Sequence, residues 1–189
     1  MELSRQASDI VHLTRDFSKK GDAGRTPIDI NEVVRNTAKL ITWAARKTDT
    51  ELVLLLPEGL PQVMANDVQI QQVVANLITN AIEAIGATQS GGRRQVTVST
   101  RLADAMVQLS VTDTGYGLPP EVAARMFEAF YSTKPEGHGI GLSLCRTIIN
   151  SHGGKIWAAP NPGGGAIVSF ALPVLRQGLA QATGESAKV

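Results

Sequence analysis

Three groups of residues in this chain have types and spacings suited to chemistry. In the stretch DVQIQQVVANLITNAIEAI, Gln69, Gln72, Asn76, Asn80 and Glu83 follow one another at intervals of three or four, which lines them along one helix face. Side-chain amides are poor helix formers and offer neutral oxygens to a metal or a hydrogen-bonded ligand, although a solvent-facing edge would also produce a polar stripe. The second group is V-T-D-T-G-Y-G-L, residues 111–118. Asp113 at a strand end can accept a hydrogen bond from a ligand amine while Gly115 and Gly117 let the backbone come close, and a glycine turn with a capping Asp would share the pattern. The third group is Lys134 and the glycines of G-H-G-I-G-L, residues 137–142. Glycines opening a helix expose free amides at the positive end of its dipole, a ready phosphate cradle, and a lysine in an irregular segment beside it can close over the anion or simply be solvated. Neither familiar phosphate fingerprint is present: no G-K-[ST] follows the glycines, and no strand directly precedes them in G-x-G-x-x-G spacing.

The elements that must position these residues can be read from periodicity. Leu3 to about Phe17 is amphipathic, with Leu3, Ile10 and Phe17 seven apart, and predicts a helix whose seam wants a partner. Lys19-Lys20-Gly21 ends it, and residues 21–27 form a polar linker. His12 within that helix is read as a surface or seam residue. A short extended piece from Ile28 to Ile30 then leads to a helix over Glu32 to Lys47, capped by Asp29 or Asn31, and to a strand from Glu51 to Leu56 closed by Pro57. The striped helix runs from Val68 to about Ile85, burying Ile70, Val73, Val74, Leu77, Ile78, Ala81, Ile82 and Ile85. Gln95 to Leu102 and Met106 to Asp113 alternate as paired strands. A short helix follows over Pro119 to Phe130, then a mobile loop over Tyr131 to Gly139, and then a helix opened by the glycines and reaching about Ser151. Lys155 to Ala159 and Ala166 to Leu172 are two more strands, and beyond Pro173 a disordered tail is expected, apart from a short turn. Helices packed on one face of a largely antiparallel sheet make this an α+β chain. His138 is read as a loop residue, His152 as a helix-terminal residue stopped by Gly153-Gly154, and Cys145 as a small core residue.

Composition narrows the function classes. At 189 residues, 43% of them hydrophobic, the chain can bury one domain's core with an appendage, and a formal charge of +1 gives no footprint for nucleic acid or an anionic membrane. A single cysteine and three scattered histidines provide neither a disulfide nor zinc-ligand spacing, which fits a reducing cytoplasm. The longest apolar run, Leu52 to Leu56, is strand-sized, so no membrane contact by this chain is expected, although a larger parent sensor could be anchored.

Four motifs in order carry a family resemblance: N-L-I-T-N-A at 76–81, D-T-G-Y-G-L at 113–118, M-F-E-A-F-Y-S-T-K at 126–134 and G-H-G-I-G-L-S at 137–143. Together they resemble the N, G1, F and G2 boxes of sensor histidine kinases, and S-H-G-G-K-I-W-A at 151–158 resembles the oxygen- and nitrogen-responsive members. The resemblance covers about residues 27–173 and implies the two-layer α/β sandwich shared with the ATPase domains of gyrase, mismatch-repair and chaperone proteins, with ATP and Mg2+ between the striped helix and a lid. It further implies Asn80 as the metal ligand, Asn76 in support, Asp113 as the adenine-amine reader with Gly115 and Gly117 giving room, Phe127 and Phe130 anchoring the lid, and Lys134, Gly137, Gly139, Gly141 and Leu142 at the phosphates. No residue is assigned covalent chemistry. The implied partners are ATP or ADP, a histidine-bearing dimerisation domain, a response-regulator receiver domain, and a second copy through the N-terminal helix.

The chain departs from the family in lacking the histidine box, since His12 is followed by Leu13-Thr14-Arg15. Residues 1–20 instead resemble the second helix of the dimerising hairpin, 28–173 the catalytic domain and 174–189 a tail, so autophosphorylation of this fragment is not expected. Ala129 and Ala166 stand where Pro and Thr are common, which puts a hydroxyl contact near the adenine in doubt. Two functions follow: an enzyme domain that donates the γ-phosphate of MgATP to a histidine elsewhere, or a nucleotide-binding or scaffolding module without kinase activity. A gyrase-like or serine-kinase role is disfavoured by Asn76, where those ATPases commonly carry an acidic base.

Overall fold

The computed structural model describes residues 24–87, 93–134 and 137–175. The expected N-terminal helix and most of the C-terminal tail lie outside them. In chain order the elements are β1 (Thr26–Ile28), α1 (Ile30–Lys47), β2 (Glu51–Leu55), β3 (Val63–Ala65), α2 (Asp67–Gly86), β4 (Gln95–Ala103), β5 (Met106–Asp113), α3 (Pro120–Arg125), α4 (Gly141–Ser151), β6 (Lys155–Pro160) and β7 (Ala166–Pro173).

Local chemistry sets the helix starts. The Asp29 carboxylate accepts the Asn31 N–H at 2.7 Å, and Glu32 in the first turn with Arg46 and Lys47 in the last complement the α1 dipole. Asn66 caps α2 by accepting the Gln69 N–H at 3.1 Å. β4 and β5 form a hairpin through Asp104 and Ala105, both in the left-handed region (φ 51° and 57°), the backbone that a tight primed turn requires.

Five strands form one sheet in the order β2-β4-β5-β7-β6, antiparallel except for the β2–β4 pair, while β1 and β3 form a separate antiparallel ribbon. Period-two alternation puts Val96 and Val98 of β4 and Val107, Leu109 and Val111 of β5 on the inner face. α1, α2 and α4 pack on that face, and α2 lies between the other two, burying all eight apolar residues expected of it. The result is the anticipated two-layer mixed fold with helices on one side of a mostly antiparallel sheet.

Several boundaries differ from expectation. Thr26 and Pro27, assigned to the linker, belong to β1, and α1 starts at Ile30, so Ile28 to Ile30 is divided between strand, cap and helix. Val63–Ala65 is a strand too short for its alternation to be seen, fixed by pairing with β1. The helix expected over Pro119 to Phe130 stops at Arg125 and continues as turns. Val174 and Leu175, assigned to the tail, are tied down: their N–H groups donate to the carbonyls of Ala105 at 3.1 Å and Gln62 at 2.7 Å. No described helix is long and apolar enough to cross a membrane.

Candidate functional site

A cavity of about 360 Å3 opens between α2, the end of β5, the start of β7, the N-terminus of α4 and the segment that precedes it. Of the ten residues expected at a site, eight line it: Asn80, Asp113, Gly117, Lys134, Gly137, Gly139, Gly141 and Leu142. Asn76 and Gly115 stand one layer behind.

Asp113 is 5% exposed, and its Oδ1 accepts backbone N–H groups from Gly115 at 2.8 Å and Ala166 at 3.2 Å. Burial pushes it above its ordinary value, and the two amide donors offset part of that rise. Oδ2 has no hydrogen-bond partner among the described residues. No fully buried side-chain oxygen or nitrogen there lacks a partner, so Oδ2 faces the cavity as a free acceptor.

α2 supplies the opposite wall. The Asn80 Nδ2 donates to Asn76 Oδ1 at 2.7 Å, one turn earlier, which commits the Asn80 amide so that its oxygen points outward. Lys134 reaches that oxygen, its Nζ donating at 3.4 Å, and also pairs closely with the Glu83 carboxylate. Glu83 therefore extends the polar stripe into a tether for the lysine. Gln72 is exposed and Gln69 half-buried.

The third wall is the start of α4, whose N-terminal residue Ile140 makes no side-chain cap, leaving the first amides to the cavity. Gly141 packs against Asn76: a Cβ there would lie 2.6 Å from the Asn76 Nδ2. Gly139 adopts φ +65°, and a Cβ would press the backbone of Phe130 at 2.5 Å. The Gly139 carbonyl in turn accepts the Phe130 N–H at 2.9 Å.

That bond corrects the expectation for Phe130. Phe130 is 67% exposed and its φ is +66°, so it is the backbone, and not a buried ring, that joins the segment to the glycines, while Phe127 is half-buried. Cavity residues that the sequence did not assign to the site include Tyr116, Tyr131 and His138. Tyr116 and His138 are each flanked by glycines, and the flanking glycines were the available signal. His152 is more than a helix end. It is buried, its Nδ1–H donates to the Ile148 carbonyl at 2.8 Å and its Nε2 accepts the Asn66 N–H at 3.1 Å, joining the end of α4 to the start of α2. Cys145 is buried, with its thiol pushed up to about 12 by burial, as befits a core residue.

The Asp113 carboxylate, the outward Asn80 oxygen, Lys134 paired to Glu83 and the uncapped start of α4 thus surround one largely apolar hollow, an arrangement able to accept from an amine and to receive an anion. Comparison with known proteins supplies the family. The chain is 38% identical over 172 residues to the sensor protein FixL of Bradyrhizobium diazoefficiens, a match covering 91% of this chain and 34% of FixL. It spans less than half the length of the curated relatives it matches. The nucleotide-free catalytic domain of histidine kinase ThkA superposes with a TM-score of 0.70 at 32% identity, covering 79% of this chain and 95% of that domain. ThkA in complex with the response regulator TrrA superposes at 0.67 and 27% identity, covering 91% of this chain and 49% of ThkA. Full-length ShkA in complex with AMPPNP gives 0.70 at 28% identity, covering 92% of this chain and 37% of ShkA. Residues 65–176 match the family described as histidine kinase-, DNA gyrase B- and HSP90-like ATPases, and this chain belongs to that family.

Proposed function

We propose that the cavity holds ATP with Mg2+, and that the chain is the catalytic part of a two-component sensor histidine kinase, presenting the γ-phosphoryl group to a histidine on a dimerisation domain. The observation that carries this is the meeting of Asp113, Asn80, Lys134 and the uncapped start of α4 around one cavity. Asp113 accepts from the adenine amine through Oδ2, with Gly115 and Gly117 letting the base approach. The amides of Gly139, Gly141 and Leu142 receive the phosphates, Gly137 leaves room beside them, and Lys134 exchanges Glu83 for a phosphate oxygen.

The donor set suits Mg2+. One outward amide oxygen beside a polyphosphate, with no group of three His, Cys, Asp or Glu among the described residues, matches a cation that keeps waters and takes one or two protein oxygens. Asn80 is the ligand and Asn76 its orienting partner. When bound, the metal neutralises phosphate charge; the protein's share is positioning and exclusion of water. The wider system then comprises a receiver-domain partner, a homodimer formed through the N-terminal segment, and a cytoplasmic location.

The test mixes this chain with a separately made histidine-bearing hairpin and γ-labelled ATP. Acid-labile label on the hairpin is expected. If nucleotide binds and no label transfers to the hairpin, the chain is a nucleotide-binding or scaffolding module instead.

A further inference from the structure

A second hollow lies on the opposite flank of the sheet. It is a groove of about 450 Å3 between α1 and β2, floored by Ala38, Ala45, Leu52 and Leu54 and rimmed by Arg35, Lys39 and Arg46. β2 is an edge strand: it pairs with β4 on one side, and no described strand pairs with it on the other. That edge is unguarded. Leu52, Val53 and Leu54 are only half-buried and Leu55 is 56% exposed, with no Lys or Pro inside the strand of the kind that blunts natural edges.

The rim is equally unusual for a chain of net charge +1. Arg35, Lys39 and Arg46 are exposed, and none pairs with a carboxylate among the described residues. Beyond Arg46 the margin is mixed: Arg93 and Arg94 stand there with Asp49 and Glu51, the last paired to Arg93 at 3.2 Å.

We propose that this groove docks an extended acidic segment of a partner protein, which adds as a sixth strand to the free edge of β2. Five residues of strand span about 17 Å, and the eleven-residue rise from Arg35 to Arg46 along α1 is about 16 Å, so strand and helix offer a slot of matched length. Main-chain bonds to β2 supply affinity. Alternate side chains point to opposite faces of an added strand, so those on the α1 side carry the recognition: apolar ones pack on the alanine and leucine floor, and carboxylates between them reach the three unpaired cations of the α1 rim. An apolar floor offers a phosphate backbone nothing, and a second copy of the chain would bring the same cations against these.

The probe is an eight-residue peptide with Ser at every second position and Glu and Val alternating at the others, so that both face α1, N-methylated along one edge to prevent self-stacking, with a counterpart in which Lys replaces Glu; these are the Glu–Val and Lys–Val peptides. Fluorescence anisotropy with the full chain should show binding of the Glu–Val peptide only. An Arg35→Glu/Lys39→Glu double variant should lose at least about tenfold in affinity, with melting temperature and nucleotide-analogue binding unchanged, since both residues are exposed, lie away from the helix ends and are remote from the cavity. Amide shifts on peptide addition should map to β2 and α1. No binding of the Glu–Val peptide, equal binding of the Lys–Val peptide, or full affinity in the charge-reversed variant would overturn the proposal. So would sedimentation showing a dimer that Leu55→Glu abolishes, because the edge would then serve self-pairing.

Discussion

Asp113 sets two demands in opposition. Burial raises its carboxyl, so ionised Asp113 costs the fold stability at neutral pH, whereas an adenine amine needs the ionised acceptor. Asp113→Asn should separate the two. An asparagine oxygen can still accept from Gly115 and Ala166, but its amide turns a donor toward the amine. Calorimetry should show ATP affinity reduced about 10- to 100-fold, the value of a hydrogen bond to a charged group, with the melting temperature unchanged or higher; near-normal affinity would remove Asp113 from base recognition. Asn80→Ala is expected to lose Mg2+-dependent affinity specifically, and equal losses with and without Mg2+ would point to packing instead. These residue types were legible in the sequence because few side chains other than a carboxylate, an amide and a glycine amide suit such tasks. Their division of labour was not: that Asn76 orients Asn80, and that Glu83 holds Lys134, depends on which rotamers meet across the cavity mouth.

At the scale of elements, the start of α4 works only if its backbone can lie against α2. Gly141 provides that approach, since a methyl group there would enter the Asn76 amide and disturb the hydrogen bond that aims Asn80. Gly141→Ala should therefore weaken ATP on the order of tenfold, through charge-assisted phosphate contacts, while leaving adenosine affinity nearly intact. Competition of both ligands against a fluorescent nucleotide measures this, and parallel losses would mean that the whole site had collapsed. The long elements were readable because eight apolar positions on α2, or strict alternation over β4 and β5, outweigh local ambiguity. The short ones were not: β1 and β3 have three residues each, and pairing, not pattern, makes them strands. α3 failed in the other direction. Its apolar positions, Val122, Met126 and Phe127, continue past Arg125, but the chain turns there toward the cavity, and Tyr131 is held by the Arg125 guanidinium 4.5 Å from its ring centre.

For the molecule as a whole, the site is the meeting of α2 and α4, and a buried histidine joins those helices at their other ends. His152 is fixed as one neutral tautomer, donating from Nδ1 to Ile148 and accepting at Nε2 from Asn66, the residue that caps α2. Burial lowers its imidazole below the ordinary 6.5; the Ile148 carbonyl opposes that fall and the Arg25 charge adds to it. In the unfolded chain the ring titrates near 6.5, so above that value both states are neutral and the clamp contributes in full. As the pH falls from 6.5 toward the lower folded value, the unfolded chain takes up a proton that the folded chain resists, and stability declines. Melting temperature should thus be flat from about pH 7 to 8 and fall below about pH 6.5. His152→Gln should flatten that limb while costing about 1–3 kcal/mol for an imperfectly satisfied Asn66 N–H or Ile148 carbonyl. A ring proton signal from His152 that titrates at or above its ordinary value would sink the assignment. Because Asn66 also starts the helix that carries Asn80, the acid-induced loss should appear in nucleotide affinity before the sheet melts, and amide exchange in the first turns of α2 at pH 6 is the place to see it.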